Sequence, residues 1–308
     1  MAVEFFIAKK YLKAKRKEGF ISLISFLSVA GVTLGVMALV VVIAVMSGAE
    51  TEFRKRILGL EPHILIMNYG GTFDNYLSLM DKLSPKAHIE AISPILFGQA
   101  MIRTSRSFSG VMIRGISPEH GAALINGYTP LQLEKALGSQ GENSNLPGII
   151  LGKQLADSLG VIQGDKIILM SPKSFMSPIG QIPAMKRFAV TGTFKSGMTE
   201  YDGVLAYIDL PQAQGLVSTG NKVSALGIWV DDVFRVKSIR EKSLGFFDYP
   251  FYIRDWMDIN QSLFSALKLE KTAMFIILTL IILVAAFNIA SALIMMVMDK
   301  TKEIAVLK

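Results

Sequence analysis

Two long stretches without a charged residue constrain the fold of this chain most strongly. The first runs from Phe20 to Met46 and the second from Ala273 to Met298. As a helix rising about 1.5 Å per residue, the first would reach roughly 40 Å, enough to cross a bilayer with some tilt. Two core helices of a soluble protein are the alternative, but both stretches exceed the usual length of a buried helix. The sequence predicts transmembrane helices at residues 20–46 and 272–298.

Basic residues beside these stretches predict their orientation. Lys and Arg collect at cytoplasmic ends, so both termini are expected in the cytoplasm and residues 47–271 in the periplasm of a bacterial inner-membrane protein. A basic cluster at residues 54–56 weakens the bias. A cleaved signal peptide is the alternative for the first stretch, but its apolar run is about twice the usual length. Residues 1–19 are predicted to be a cytoplasmic amphipathic segment, or else a basic tail. The basic residues that carry the argument are Lys9, Lys10, Lys13, Lys15, Arg16 and Lys17 before the first span and Lys300, Lys302 and Lys308 after the second.

Composition argues against enzymatic chemistry. The chain has no cysteine and three histidines, which are far apart and are interpreted as surface or loop residues. The acidic pair Asp231–Asp232 is interpreted as a solvated turn without a second partner. No zinc-protease, nucleophile-elbow, P-loop or dinucleotide-binding motif is present. The sequence therefore predicts no catalytic residue, metal or cofactor, and energy for any work would enter from another subunit.

The region between the spans predicts an α+β domain of two subdomains, because strand-like and helical patterns alternate along it. Residues 138–148 are expected to form an exposed loop. Asp258–Glu270 is predicted to continue as a helix into the second span, and Ser47–Leu58 to extend the first. Strands are expected at residues 63–67, 99–104, 111–116, 166–170, 188–193, 204–208, 225–230 and 249–253, and helices at 75–83, 131–137, 153–159, 211–216 and 233–244.

Three residues within the spans are candidates for helix packing. Gly31 and Gly35 form a GxxxG pair, a spacing that lets two helices approach closely in lipid. Asn288 is the strongly polar side chain of the second stretch and needs a partner in hydrocarbon. It is interpreted as a contact to another helix rather than to a substrate.

Several segments resemble the permease subunits of lipoprotein-releasing ABC transporters of the LolC/LolE type, within the wider MacB/FtsX-like group. The segments are Phe20–Gly35, Met46–Ile57, Ile150–Gly160 with Gly164–Lys166, and Ala285–Leu307, and the resemblance covers the whole chain. It implies a MacB-like periplasmic domain and four partners: a LolD-like ATPase that binds the ATP, a second permease that is LolE-like or an identical copy, the periplasmic carrier LolA, and a lipoprotein substrate. Permeases of this family have four spans, so a longer parent protein is expected.

The segment Ser171–Arg187, called the hook below, carries three prolines and a glycine. Proline removes a backbone donor, so the segment is expected to project as a loop outside any sheet ladder. The resemblance implies that it recruits LolA, with Lys186 and Arg187 at its base. A hairpin loop packed on its own domain is the alternative. The implied carrier-binding residues are Phe175, Met176, Ser177, Pro178, Ile179, Gly180, Gln181, Ile182 and Pro183.

Residues 299–308 follow the second span as a short charged and amphipathic piece. The resemblance implies that this is the start of a coupling helix, which docks on the cytoplasmic ATPase through Lys300, Glu303, Ile304, Ala305 and Leu307. A plain juxtamembrane anchor is the alternative.

Three other functions share parts of this pattern. A MacB-like efflux permease and an FtsX-like mechanotransmission permease have the same topology, and the hook favours lipoprotein release over both. A two-span periplasmic sensor would instead carry a cytoplasmic signalling domain.

Overall fold

The computed structural model describes residues 19–59, 61–83, 88–105, 107–121, 124–125, 127–138, 146–177, 180–243, 247 and 249–306. Outside this part lie residues 1–18 of the amphipathic segment predicted at residues 1–19, the hook residues Pro178 and Ile179, and Leu307. The chain forms two compact units. One contains the residues up to Thr51 and those from Ser262 onward, and the other is Glu52–Gln261.

The first unit consists of two long helices, α1 (Gly19–Leu58) and α9 (Gln261–Val306). Each contains a segment long and apolar enough to cross a membrane, Val29–Glu52 in α1 and Phe264–Met295 in α9, and only 6% and 0% of the most apolar windows are buried. A core helix of a soluble protein would bury such a segment, so this exposure favours lipid as its surroundings. Both helices extend beyond residues 20–46 and 272–298, so those span boundaries stay predictions.

The predicted helix from Asp258 into the second span is interrupted. A separate short helix, α8 (Trp256–Ile259), begins at the N-cap Asp255 and ends at Asn260. The Asn260 side chain donates to the Trp256 carbonyl oxygen at 2.8 Å. Because this amide closes the turn, the continuous helix starts at Gln261 and not at Asp258.

The second unit is built on nine strands and seven helical segments in the part of the chain described. The strands are β1 (Ile64–Asn68), β2 (Ile89–Arg103), β3 (Phe108–Ile116), β4 (Gly148–Gly152), β5 (Lys166–Ser177), β6 (Gly180–Phe194), β7 (Leu205–Asp209), β8 (Ala225–Val230) and β9 (Phe251–Asp255). The helices besides α8 are α2 (Tyr76–Leu83), α3 (Pro130–Leu137), α4 (Lys153–Leu159), α5 (Thr199–Asp202), α6 (Leu210–Val217) and α7 (Val236–Ser243), which a 3-10 turn (Val233–Arg235) precedes.

Six of the strands form a closed ring of pairings. The ring runs β3-β7-β4-β6-β5-β2 and closes through β2–β3, whereas β8, β1 and β9 continue from β2 as an open sheet. The β3–β7 and β4–β6 pairs are parallel and the rest are antiparallel. The sheet is therefore mixed, as an α+β domain of this class requires.

Strand β2 connects the ring to the open sheet. Its first half pairs with β8 as far as Ile95, and the half from Ile95 to Arg103 pairs with β3. One buried cluster runs through both parts and includes Leu65 and Trp229 from the open sheet and Ile116 and Tyr207 from the ring. The two expected subdomains thus correspond to two parts of one sheet that share a strand and a core.

Candidate functional site

The hook is a paired extension of ring strands β5 and β6. The two strands pair from Lys166 opposite Ala189 to Ser177 opposite Gly180. The pairing of β2 with β5 stops at Met170, and that of β4 with β6 begins at Ala189. Among the described residues, the hook strands beyond these points pair only with each other. The hook therefore leaves the ring as a two-stranded ribbon.

The expectation that proline keeps the hook out of a sheet ladder is wrong. Pro183 lies opposite Ser174 in the ladder, and Pro172 lies within the register shift between Met170 and Ser174. A two-stranded ribbon has only edge positions, where a missing backbone donor does not interrupt a neighbouring strand.

The structure places seven of the predicted hook residues on this ribbon. Phe175 lies opposite Ile182 and Met176 opposite Gln181, and Ser177, Gly180 and Pro183 occupy the remaining positions. Pro178 and Ile179 fall outside the described residues. A carrier contact at these nine residues stays a prediction.

The base of the hook is anchored in the ring core. Phe188 is fully buried, whereas Met185 is 57% exposed. The predicted base residues Lys186 and Arg187 lie opposite Leu169 and Ile168 of β5, at the point where the ribbon joins the ring. The ribbon is therefore held to the ring at its base by a buried aromatic side chain.

The three predicted packing residues of the spans line one cavity. Gly31 and Gly35 of α1 and Asn288 of α9 surround a space of about 340 Å³ together with Val32, Leu280, Ile281 and Val284. A Cβ atom at either glycine would meet no other atom within 4 Å. The glycines therefore do not bring α1 and α9 into close contact, and their packing against another helix stays a prediction.

A second cavity of about 360 Å³ lies between α1 and α9. Its lining is mainly apolar and includes Ile43, Met46, Met274 and Phe275. At its charged side, Lys271 Nζ lies 2.8 Å from Glu50 Oε2. An apolar space next to paired charges suits an amphiphile with a hydrocarbon part and a polar head.

The predicted coupling residues lie at the end of α9. Lys300, Glu303, Ile304 and Ala305 are on the helix, which ends at Val306, and Leu307 lies outside the described part. The helix is continuous from Gln261 to Val306, so the backbone of the coupling segment is a direct extension of the second apolar stretch.

The connection between α1 and β1 contains functional candidates that the sequence analysis missed. Glu61, Pro62 and His63 are all buried, and the Glu61 carboxylate accepts a hydrogen bond from the Arg114 guanidinium of β3. His63 was expected to be a surface or loop residue. It lies in the loop before β1 but is buried, and the Val230 backbone N–H donates to its Nδ1 at 3.0 Å. The sequence signal that could have pointed to this site is Glu61 next to Pro62, shortly after the predicted helix.

The other acidic and histidine expectations have mixed outcomes. Asp231 does have a partner, since its Oδ2 lies 2.8 Å from His88 Nδ1. This hydrogen bond lowers the pKa of Asp231, although both side chains are exposed. His120 is 3.9 Å from Glu119. Contacts between exposed groups of this kind contribute little to stability.

Comparison with known proteins assigns the chain to a family. Residues 25–242 match the family of the MacB-like periplasmic core domain. The lipoprotein-releasing system transmembrane protein LolC of Neisseria meningitidis is 34% identical, over 100% of this chain and 74% of that protein. The chain belongs to the LolC/LolE family. LolE of Haemophilus influenzae is 28% identical over 100% of this chain and 74% of that protein.

The LolC/LolE family places the chain in the bacterial inner membrane, with a large periplasmic domain, as a non-enzymatic permease subunit. The efflux, mechanotransmission and sensor alternatives are not favoured. Among solved structures, the periplasmic region of MacB from Actinobacillus actinomycetemcomitans matches with a TM-score of 0.42 and 16% identity, over 68% of this chain and 94% of that one.

Proposed function

We propose that this LolC/LolE-family permease works in an ATP-driven transporter that extracts lipoproteins from the inner membrane and hands them to the carrier LolA. Its partners are a LolD-like ATPase, which binds the ATP, and a second permease that is LolE-like or an identical copy. The observation that carries the proposal is the hook, a ribbon of ring strands that extends beyond the ring. A projecting ribbon offers a partner a surface that the core does not need.

The energy of lipid transfer limits the possible routes. Moving all three acyl chains of a triacylated lipoprotein into water, with about fifteen methylenes in each chain, costs roughly 36 kcal/mol of free energy at about 0.8 kcal/mol per methylene. No single step of that size is feasible. The exposed apolar faces of α1 and α9 and the two cavities between them support a route in which the chains pass between apolar hosts.

The carrier role of the hook is tested by placing a charge at Ile179, one of the predicted carrier-binding residues. We expect Ile179→Asp in the full-length permease to lower capture of LolA about tenfold or more, because a charge in an apolar contact must be desolvated. Membrane insertion and assembly with the ATPase should be unchanged. The measurement is the amount of LolA retained by the detergent-solubilised complex.

Ile162→Asp is the matched control, since Ile162 is an isoleucine of the same domain, 73% exposed and outside the hook. It should retain LolA as the parent does. Normal retention by the Ile179 variant, or equal loss in both variants, would remove the carrier role of the hook.

A further inference from the structure

A buried ion pair fastens the connection after α1 to the six-stranded ring. The side chains of Glu61 and Arg114 are each 7% exposed, and Arg114 Nη2 donates to Glu61 Oε1. Burial and the nearby Glu61 carboxylate raise the pKa of the Tyr201 hydroxyl of α5 to about 12. Charge-assisted hydrogen bonds of this kind are strong, and removing one partner leaves an uncompensated charge in a medium of low dielectric.

Arg114 is held from several ring elements at once. On β3 it lies directly opposite Phe97 of β2 and Tyr207 of β7. Its guanidinium carbon is 5.7 Å from the centroid of the Phe97 ring and 6.0 Å from that of Tyr201, within the range of cation–π attraction. Burial by itself lowers the pKa of Arg114, but Tyr207 and the Glu61 carboxylate outweigh it and hold the pKa above its ordinary value. A group fixed by three strands and a helix moves with the ring as one body.

The remaining residues of the connection are fastened to the open sheet. Pro62 packs on Gly227 of β8, and a Cβ atom added at Gly227 would lie 2.7 Å from the Cγ of Pro62. The His63 carbonyl oxygen accepts the backbone N–H of Trp256, the first residue of α8, at 3.1 Å. Consecutive residues therefore hold the ring through Glu61 and the open sheet through Pro62 and His63.

The covalent path from α1 leads into β1, which is not a ring strand, whereas the hook belongs to ring strands β5 and β6. The ion pair provides a second path, from Glu61 through Arg114 on β3 to β2, which pairs with β5 at Ile102 opposite Leu169. We infer that Glu61 is a positioning residue that couples displacement of α1 to the hook-bearing ring through Arg114. This inference rests on the proposed function.

The test uses the full-length permease in its complex with the ATPase and the second permease, reconstituted in vesicles with a triacylated lipoprotein. ATP hydrolysis, lipoprotein release and LolA capture are measured on the same preparation. We expect Glu61→Gln to retain capture and hydrolysis while lipoprotein released per ATP falls about fivefold or more, the lower range of coupling between sites. The exchanged pair, Glu61→Arg with Arg114→Glu, should recover most of that ratio.

Asp202→Asn is the matched control, because Asp202 is also a buried carboxylate (6% exposed) that accepts a backbone N–H, from Ser196 at 2.7 Å. It should keep the parental ratio. A parental ratio in Glu61→Gln, or an equal fall in Asp202→Asn, overturns the coupling role.

If Glu61→Gln fails to insert, Glu61→Asp replaces it, since it keeps the charge and shortens the connection by one methylene. A reduced ratio with normal LolA capture supports the inference, and a parental ratio refutes it. Absence of lipoprotein release by the parent complex would instead refute the proposed function, so the two failures are distinguishable.

Discussion

At the scale of single residues, burial decides the protonation state of His63 in the connection between α1 and β1. His63 is 8% exposed, and burial lowers its pKa below the ordinary value of 6.5. The N–H of Val230 points at its Nδ1, which must therefore be unprotonated in the folded state. The neutral ring is the form that the fold accepts.

The stability that His63 contributes should depend on pH in a defined direction. Its folded pKa is depressed, so this contribution is complete above about pH 6.5 and is lost as the pH falls through the lower folded pKa. We expect the unfolding temperature of the detergent-solubilised protein to fall between about pH 7.5 and pH 5.

The control is His63→Asn, which keeps a side-chain acceptor for Val230 but does not titrate. The variant should lose part of this pH dependence when both proteins are unfolded at the two pH values. Identical pH dependence in the two proteins would show that His63 does not carry the effect.

At the scale of elements, glycines set how closely segments approach. Gly227 lies in the middle of β8, and a Cβ atom there would be 2.7 Å from Pro62 Cγ and 2.9 Å from Ile95 Cδ1. Gly215 lies within α6 and is exposed, and a Cβ atom there would meet nothing within 4 Å. At Gly227 the packing requires the absence of a side chain. At Gly215 it does not, so a substitution there reports only the conformational cost of glycine in a helix.

We expect Gly227→Ala to lower the free energy of unfolding by about 1–3 kcal/mol, because the rigid proline ring cannot move away from the added methyl group. Gly215→Ala should change it by less than about 1 kcal/mol, in the stabilising direction. Thermal or urea unfolding of the two variants provides the comparison. A Gly227→Ala protein as stable as the parent would mean that the connection after α1 yields easily.

At the scale of the whole molecule, the two long helices enter neighbouring strands of one sheet. α1 leads into β1 and β9 leads to α9, and these two strands pair antiparallel with Ile64 opposite Asp255. The residues that follow α1 and those that precede α8 and α9 therefore lie at the same end of the β1–β9 pair.

The coupling segment gives a prediction at this scale. We expect Glu303→Lys in the permease to reduce co-purification of the ATPase several-fold, because a reversed charge opposes the complementary surface of the partner. The control is Glu134→Lys, the same change at an exposed position of α3 in the periplasmic unit. Undiminished recovery of the ATPase with the Glu303 variant would contradict the coupling role.

Local patterns predicted much of the secondary structure. Helix α4 begins and ends at the predicted residues 153 and 159, and strand β8 occupies the predicted residues 225–230. Both have clear periodicity or β-branched content between turn signals. Strand β4 was missed because Gly148–Gly152 is buried throughout and shows no alternation. β2 was predicted from residue 99 but begins at Ile89, since Pro94 interrupts its pattern.

The sequence by itself determined the two long apolar helices and the α+β class, because each depends on a local property, uncharged length or alternating periodicity. Clustered prolines singled out the hook, whose role stays a prediction. Only the tertiary structure decided that the hook is a ladder, that β2 joins a ring to an open sheet, and that Glu61 meets Arg114. These features depend on contacts between residues far apart in the chain, and no local pattern specifies which distant partner will satisfy a buried charge or a strand edge.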